Sequence, residues 1–282
     1  MPTLGPDDLV FNTTNIVNAG LHETVEAAVA GGYRGITVWA QDIDQAEARG
    51  LPLRDARGFI EDHGLVVTEI DPLLAWSEQA LPAPGEAMIE LAPVDRFFEI
   101  AEALGATGLN VAQGFGAGLD YDAAAEDLAA ICRRGAEHGL DICFEFLPWS
   151  GVPDVTHALD LVTRTGCDNA KIMFDSWHFY RGARDFEALA AIPGDRIGAT
   201  QWSDAPATPA EILPVEAMTA RLLPGEGDAP LVEVARALDA IGSQAPIGVE
   251  VIASVHDDMP PAEVGRQTAA AMRGILAEAR GA

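Results

Sequence analysis

Short apolar runs and Ala- and Glu-rich amphipathic stretches alternate from one end of this chain to the other. Strand-like runs fall near 8–12, 35–40, 65–71, 107–113, 140–147, 170–175, 197–202 and 246–252. Helix-like stretches fall between or after them, near 22–31, 42–62, 89–104, 122–138, 154–165, 185–191, 230–241 and 260–279. Such alternation dictates a parallel sheet, because each crossover helix returns the chain to the same edge. Eight units favour closure into a single (β/α)8 barrel over an open doubly wound sheet. With no low-complexity linker and no further internal repeat, one barrel domain over residues 1–282 is expected. Local punctuation agrees. Gly105, Gly139, Gly166 and Gly242 stand where left-handed helix caps are needed, and Asp122 and Asp154 stand where N-caps are.

The balance of charge narrows the partners. The 282 residues carry 44 acidic against 17 basic side chains, a formal net charge of −27, and Lys171 is the one lysine. Such a surface repels phosphate backbones and anionic membranes, so neither nucleic acid nor membrane is an expected partner, and neutral substrates are favoured over multiply anionic ones. Cys132, Cys143 and Cys167 lack metal-ligand or disulfide spacing and read as buried thiols. The opening MPTLGPDDLVF has no basic, apolar leader pattern, and no run approaches membrane-spanning length, so a soluble cytoplasmic protein is expected.

Four polar residues stand out at the ends of apolar runs in the second half: Glu145 in LDICFEFLP, Asp175 in AKIMFDSWH, Gln201 in IGATQWSDA and Glu250 in APIGVEVI. A carboxylate in a strand buried on both faces is costly unless it is paired or binds a metal. The gaps of 30 and 26 residues are each about one strand–helix unit, and the gap of 49 is one unit plus a long loop. All four should therefore converge on the C-terminal rim. Three carboxylates and an amide oxygen form a hard, all-oxygen set suited to Mg²⁺ or Mn²⁺. His178 lies just past Asp175, and Arg221 lies in the long stretch 203–229, placed to reach over a bound oxygen anion. A second long stretch, 72–88, follows the third strand, and both are candidate lids or substrate walls. Trp39, Trp76, Trp149, Trp177 and Trp202 each fall at or after a strand end, as an aromatic wall for the C–H faces of a sugar or polyol would.

FEFLPW around Glu145, MFDSWHFYRG around Asp175 and His178, TQWSDA around Gln201, RLLPGEGD around Arg221 and GVEVI around Glu250 together resemble the xylose isomerase-like TIM barrel superfamily, the sugar phosphate isomerase/epimerase family. The resemblance spans nearly the whole chain and is strongest from 140 to 252. It implies a TIM barrel whose metal is held by Glu145, Asp175, Gln201 and Glu250. It also implies acid–base roles for Glu145 and Glu250, and substrate-oxygen contacts for His178 and Arg221. Gln201 stands where histidine is commoner. The endonuclease IV-like branch is similar in fold but uses extra histidines, which this chain lacks. Dimers or tetramers are common among similar proteins, so a homo-oligomer is implied, although no interface is legible.

The expected chemistry is isomerisation or epimerisation of a ketose or related hydroxy-carbonyl sugar through a metal-bound enediolate, with one glutamate removing a proton and the other returning it. The alternative is a lyase on the same enolate: a dehydratase of a cyclic keto-polyol such as an inosose or dehydroshikimate, or a 3-keto-glycoside-cleaving enzyme. A sugar-binding protein with a vestigial site is a third, weaker expectation.

Overall fold

The structure is a computed structural model that describes residues 4–17, 19–83, 91–116 and 118–281. Eight parallel strands, β1 (Leu9–Phe11), β2 (Gly35–Trp39), β3 (Val66–Leu73), β4 (Gly108–Ala112), β5 (Asp141–Glu145), β6 (Ala170–Asp175), β7 (Ile197–Trp202) and β8 (Ile247–Val249), close in chain order, with β1 paired to both β2 and β8. The expected single (β/α)8 TIM barrel is what forms. Strand interiors are mostly apolar and buried on both faces because one face fills the barrel and the other meets the helices. Gly248 is obligatory for closure: a Cβ there would run into the carbonyl oxygen of Thr200 on the paired strand.

The helices lie where amphipathic periodicity puts them, with three departures. The stretch 42–62 is two helices, Ala40–Ala48 and Leu53–Asp62, because Gly50 turns at φ +96° and Pro52 has no N–H to continue a helix. The helix expected over 89–104 is described from Val94 to Leu104, with its expected start at 89–90 outside the described residues. Two short helices, Ser176–Arg181 and Leu213–Thr219, arise outside the expected helix-like stretches. Gly105, Gly139, Gly166 and Gly242 all take positive φ, and Asp154 caps its helix by accepting from the His157 N–H at 3.0 Å. Asp122 is not a cap. Asp120 performs that task for Tyr121–Glu137, accepting from the N–H groups of residues 122 and 123, and Asp122 sits in the first turn. No helix among the described residues is long and apolar enough to cross a membrane.

Candidate active site

Side chains two residues apart on a strand share a face, so each polar residue at the rim stands above an apolar one. Cys143, Met173 and Ala199 form a small buried cluster inside the barrel, one layer below Glu145, Asp175 and Gln201. Asp175 and Gln201 are direct cross-strand partners. Glu145 instead pairs with Met173, and Gln201 pairs with Gly248, so Glu145 and Glu250 are each offset by two residues from their neighbours' polar groups. This stagger is the shear that a closed, tilted barrel requires, and it brings side chains of unequal register to one rim. Glu145, Asp175, Gln201 and Glu250 are all buried. Glu145 and Glu250 line a common cavity of about 170 Å³, together with His178 and Arg221.

A fourth carboxylate, Asp71 near the C-terminal end of β3, completes this floor. Its Oδ1 accepts from Asn110 Nδ2 at 2.7 Å, and its Oδ2 accepts from Asn12 Nδ2 and Gln201 Nε2, each at 3.2 Å. Asn110 Nδ2 also donates to Glu145 Oε2 at 2.8 Å, tying the two carboxylates to one amide. Thr14 Oγ1 donates to Glu250 Oε1 at 3.0 Å. The sequence reading missed Asp71, Asn12, Asn110 and Thr14. Its own rule, polar residues at the ends of apolar runs, applies to LVFNTT, VVTEID and GLNVA in the first half of the chain.

Asp175 caps the helix Ser176–Arg181 by accepting from the His178 N–H at 2.9 Å, which turns the imidazole back over the floor. His178 Nε2 lies 3.1 Å from Glu145 Oε1 and 3.7 Å from Asp175 Oδ2, and its Nδ1 is buried without a partner among the described residues. The ring is held edge-on between Trp149 and Trp177, at centroid distances of 5.4 and 5.2 Å. Arg221 Nη1 donates to Asp175 Oδ2 at 2.7 Å and lies 3.0 Å from Glu250 Oε2, while its Nε donates to the Ala217 carbonyl at 2.8 Å.

These neighbours push the carboxyls apart. Burial lifts Asp71 to about 7, with the charge of Glu145 adding to the effect. Burial also carries Glu250 well above its ordinary value, against the pull of Arg221 and with help from Asp71 and Asp175. Asp175 is desolvated too, yet Arg221, His178 and the backbone N–H outweigh burial and hold it below the usual range. Four buried carboxylates against one guanidinium is an arrangement short of positive charge. Gln201 Oε1 is buried with no donor facing it among the described residues. An orphaned amide oxygen beside under-neutralised carboxylates is what a hard divalent cation would satisfy, so the residues fit one. Oxygens of Glu145 and Asp175 also lie with a His178 nitrogen, all within 4.8 Å of one another.

The aromatic rim divides. Trp39 and Trp149 line the cavity. Trp76, Trp177 and Trp202 do not. Trp76 donates from Nε1 to the Ala112 carbonyl and packs on Phe144, and Trp202 is fully buried with its Nε1 on Thr200. Trp177 is also fully buried, its ring flanked by the guanidinium carbons of Arg221 at 5.5 Å and Arg181 at 5.7 Å, so it backs Arg221 and His178. A strand-end position fixes height in the barrel but not the direction of the side chain. The long stretch 203–229 reaches the cavity through Ala217 and Met218, and 72–88 reaches it through Pro72 and Leu74, with residues 84–88 outside the described set.

The family model for the xylose isomerase-like TIM barrel matches residues 25–275. The chain belongs to that family. Among curated relatives, it is 29% identical over 234 residues to the 3-dehydroshikimate dehydratase of Pseudomonas aeruginosa, a match covering 82% of this chain and 36% of that protein. It is 30% identical over 129 residues to the inosose isomerase of Bacillus velezensis, covering 45% of each. This xylose isomerase-like barrel thus spans little more than a third of the length of the dehydratase. Among solved structures, the IolI protein with a bound zinc atom superposes with a TM-score of 0.82 at 18% identity, over 96% of this chain and 98% of that one, which shows the shared fold.

Proposed function

We propose that this barrel is a divalent-metal-dependent isomerase or epimerase of a polyhydroxy ketone, working by removal of the proton beside the carbonyl. The observation that supports it is the pair Glu145 and Glu250. They stand on β5 and just past β8, on different sides of one cavity, so two acid–base groups approach a bound ligand from different directions. Glu145, Asp175, Gln201 and Glu250 would hold the cation, with His178 adjoining, and a cation there would polarise the carbonyl as a Lewis acid. One glutamate would take the C–H proton and the other would return a proton at another face or carbon. Arg221 steadies charge developing on the substrate oxygen. Asp71, through Asn110 and Gln201, holds the floor in register.

A dehydratase is the second reading, supported by the match to 3-dehydroshikimate dehydratase over most of this chain and by the place of His178. With Nε2 beside Glu145 and the ring facing the cavity, His178 would protonate a leaving hydroxyl as the carboxylate removes the C–H proton, releasing water and an unsaturated ketone. The test is proton NMR in D₂O with Mg²⁺-supplied protein and a panel of ketoses and keto-inositols. Deuterium entering beside the carbonyl together with a new isomer supports the first reading, and an unsaturated product supports the second. No exchange anywhere in the panel refutes both.

A further inference from the structure

The cavity has two chemically different ends. Its floor carries Asp71, Glu145, Glu250, His178 and Arg221. Its wall is Trp39, Leu74, Leu147, Trp149, Met218 and Ile252, and among the described residues no Ser, Thr, Asn or Gln side chain lines it. A ligand hydroxylated all round would press several hydroxyls against that wall without partners, at roughly 1–3 kcal/mol each. A ligand with one polar and one apolar end would not. Arg221 is the one Lys or Arg side chain lining the cavity, and it is already engaged by Asp175 and Glu250 at 2.7 and 3.0 Å. The residues outside the described set contain no Lys, Arg or His at all. The charge of Arg221 is thus already matched by the floor's own carboxylates. An incoming carboxylate or phosphate would find no unengaged guanidinium below and apolar surface around, within a molecule of net charge −27.

We propose that the cavity takes an uncharged, two-ended hydroxyketone, with its hydroxyketone head on the carboxylate floor and an apolar substituent against the tryptophan-rich wall, and that it rejects hydroxyketones bearing a carboxylate or phosphate. The head-group part rests on the reaction proposed above, whereas the wall part stands on the lining residues alone. It separates this barrel by substrate charge from any relative that acts on an anionic ring.

A matched series tests it: a keto-inositol, its O-benzyl ether, and a carboxylated polyhydroxycyclohexanone of the same ring size. Binding is followed by tryptophan fluorescence, since Trp39 and Trp149 line the cavity, and turnover by deuterium exchange, both with Mg²⁺ present. The benzyl ether should bind about tenfold or more tightly than the parent. The carboxylated ring should bind at least about a hundredfold more weakly than the ether. Met218→Arg, at a partly exposed wall position, should shift preference toward the carboxylated ring. Equal or tighter binding of the carboxylated ring by the unaltered protein overturns the proposal, as does a benzyl ether no better than its parent. Deuterium exchange confined to the carboxylated ring overturns it and leaves the reaction standing. Tight binding of the ether without exchange of any member refutes the reaction and supports the wall.

Discussion

At the scale of single residues, the proposed function rests on buried carboxylates that outnumber the guanidinium they share. Replacing Glu145 or Glu250 by Gln keeps shape but removes an acid–base group. Each change should cut deuterium exchange by about 10²-fold or more while leaving the thermal midpoint near that of the parent, checked by NMR and calorimetry. Glu69 makes a contrasting case. It lies one layer below Asp71 on the same face of β3, lines a second cavity at the opposite end of the barrel, and is raised to about 7 by burial, with Asp71 and Asp141 adding. A carboxyl whose folded value lies above its unfolded one favours the fold only while protonated. Its contribution is complete below about pH 4.5 and is lost as pH rises through about 7. Glu69→Gln should therefore stabilise the protein by a few kcal/mol at pH 8 and change little at pH 4, read by denaturant unfolding at both values. Equal effects at the two values would contradict the assignment.

At the scale of elements, the long stretch after β7 is a built structure. Asp204 accepts four backbone N–H groups: Oδ1 from residues 205 and 229 at 2.8 and 2.9 Å, and Oδ2 from Gly225 and Gly227 at 3.0 Å each. Gly227 must lack a side chain, since a Cβ would strike Asp204 Oδ1 and the Ala205 carbonyl. The buried pair Arg181–Glu216 ties the helix behind Asp175 to Leu213–Thr219, with Arg181 Nε donating at 2.7 Å. That second helix offers the Ala217 carbonyl to Arg221. Glu216→Ala should cost about 3–5 kcal/mol by stranding Arg181 in the interior, and should speed hydrogen exchange through 210–221. Unchanged stability would mean that the pair does not anchor the loop. The eight strands were legible because burial on both faces imposes unbroken apolar runs, and the helix caps because a left-handed turn selects glycine. The helices Ser176–Arg181 and Leu213–Thr219 were not, since six or seven residues carry too little periodicity and hold their shape through Asp175, Arg181 and Glu216. At the site, Glu145, Asp175, Gln201 and Glu250 were legible as polar interruptions of buried strands. Asp71 interrupts VVTEID in the same way, and the strand-end places of Trp76, Trp177 and Trp202 do not tell which way the rings face, because facing is set by packing that a linear sequence does not display.

At the scale of the whole molecule, a net charge of −27 lies on a barrel whose cavity floor is itself acidic. Self-repulsion of this size is screened by salt, so the thermal midpoint should rise from low ionic strength to about 0.3 M NaCl. A falling midpoint would show that exposed ion pairs such as those of Arg96 with Asp44, Glu47 and Glu99 outweigh the repulsion. The same imbalance, focused on the floor, is the reason to expect a cation there. Electron paramagnetic resonance titration with Mn²⁺ tests this most directly, because free and bound ions are counted separately. One bound ion per chain, lost in Asp175→Asn and weakened in Gln201→Ala, is the predicted result. No saturable binding by the unaltered protein, or binding indifferent to both substitutions, would contradict a metal centre built from Glu145, Asp175, Gln201 and Glu250.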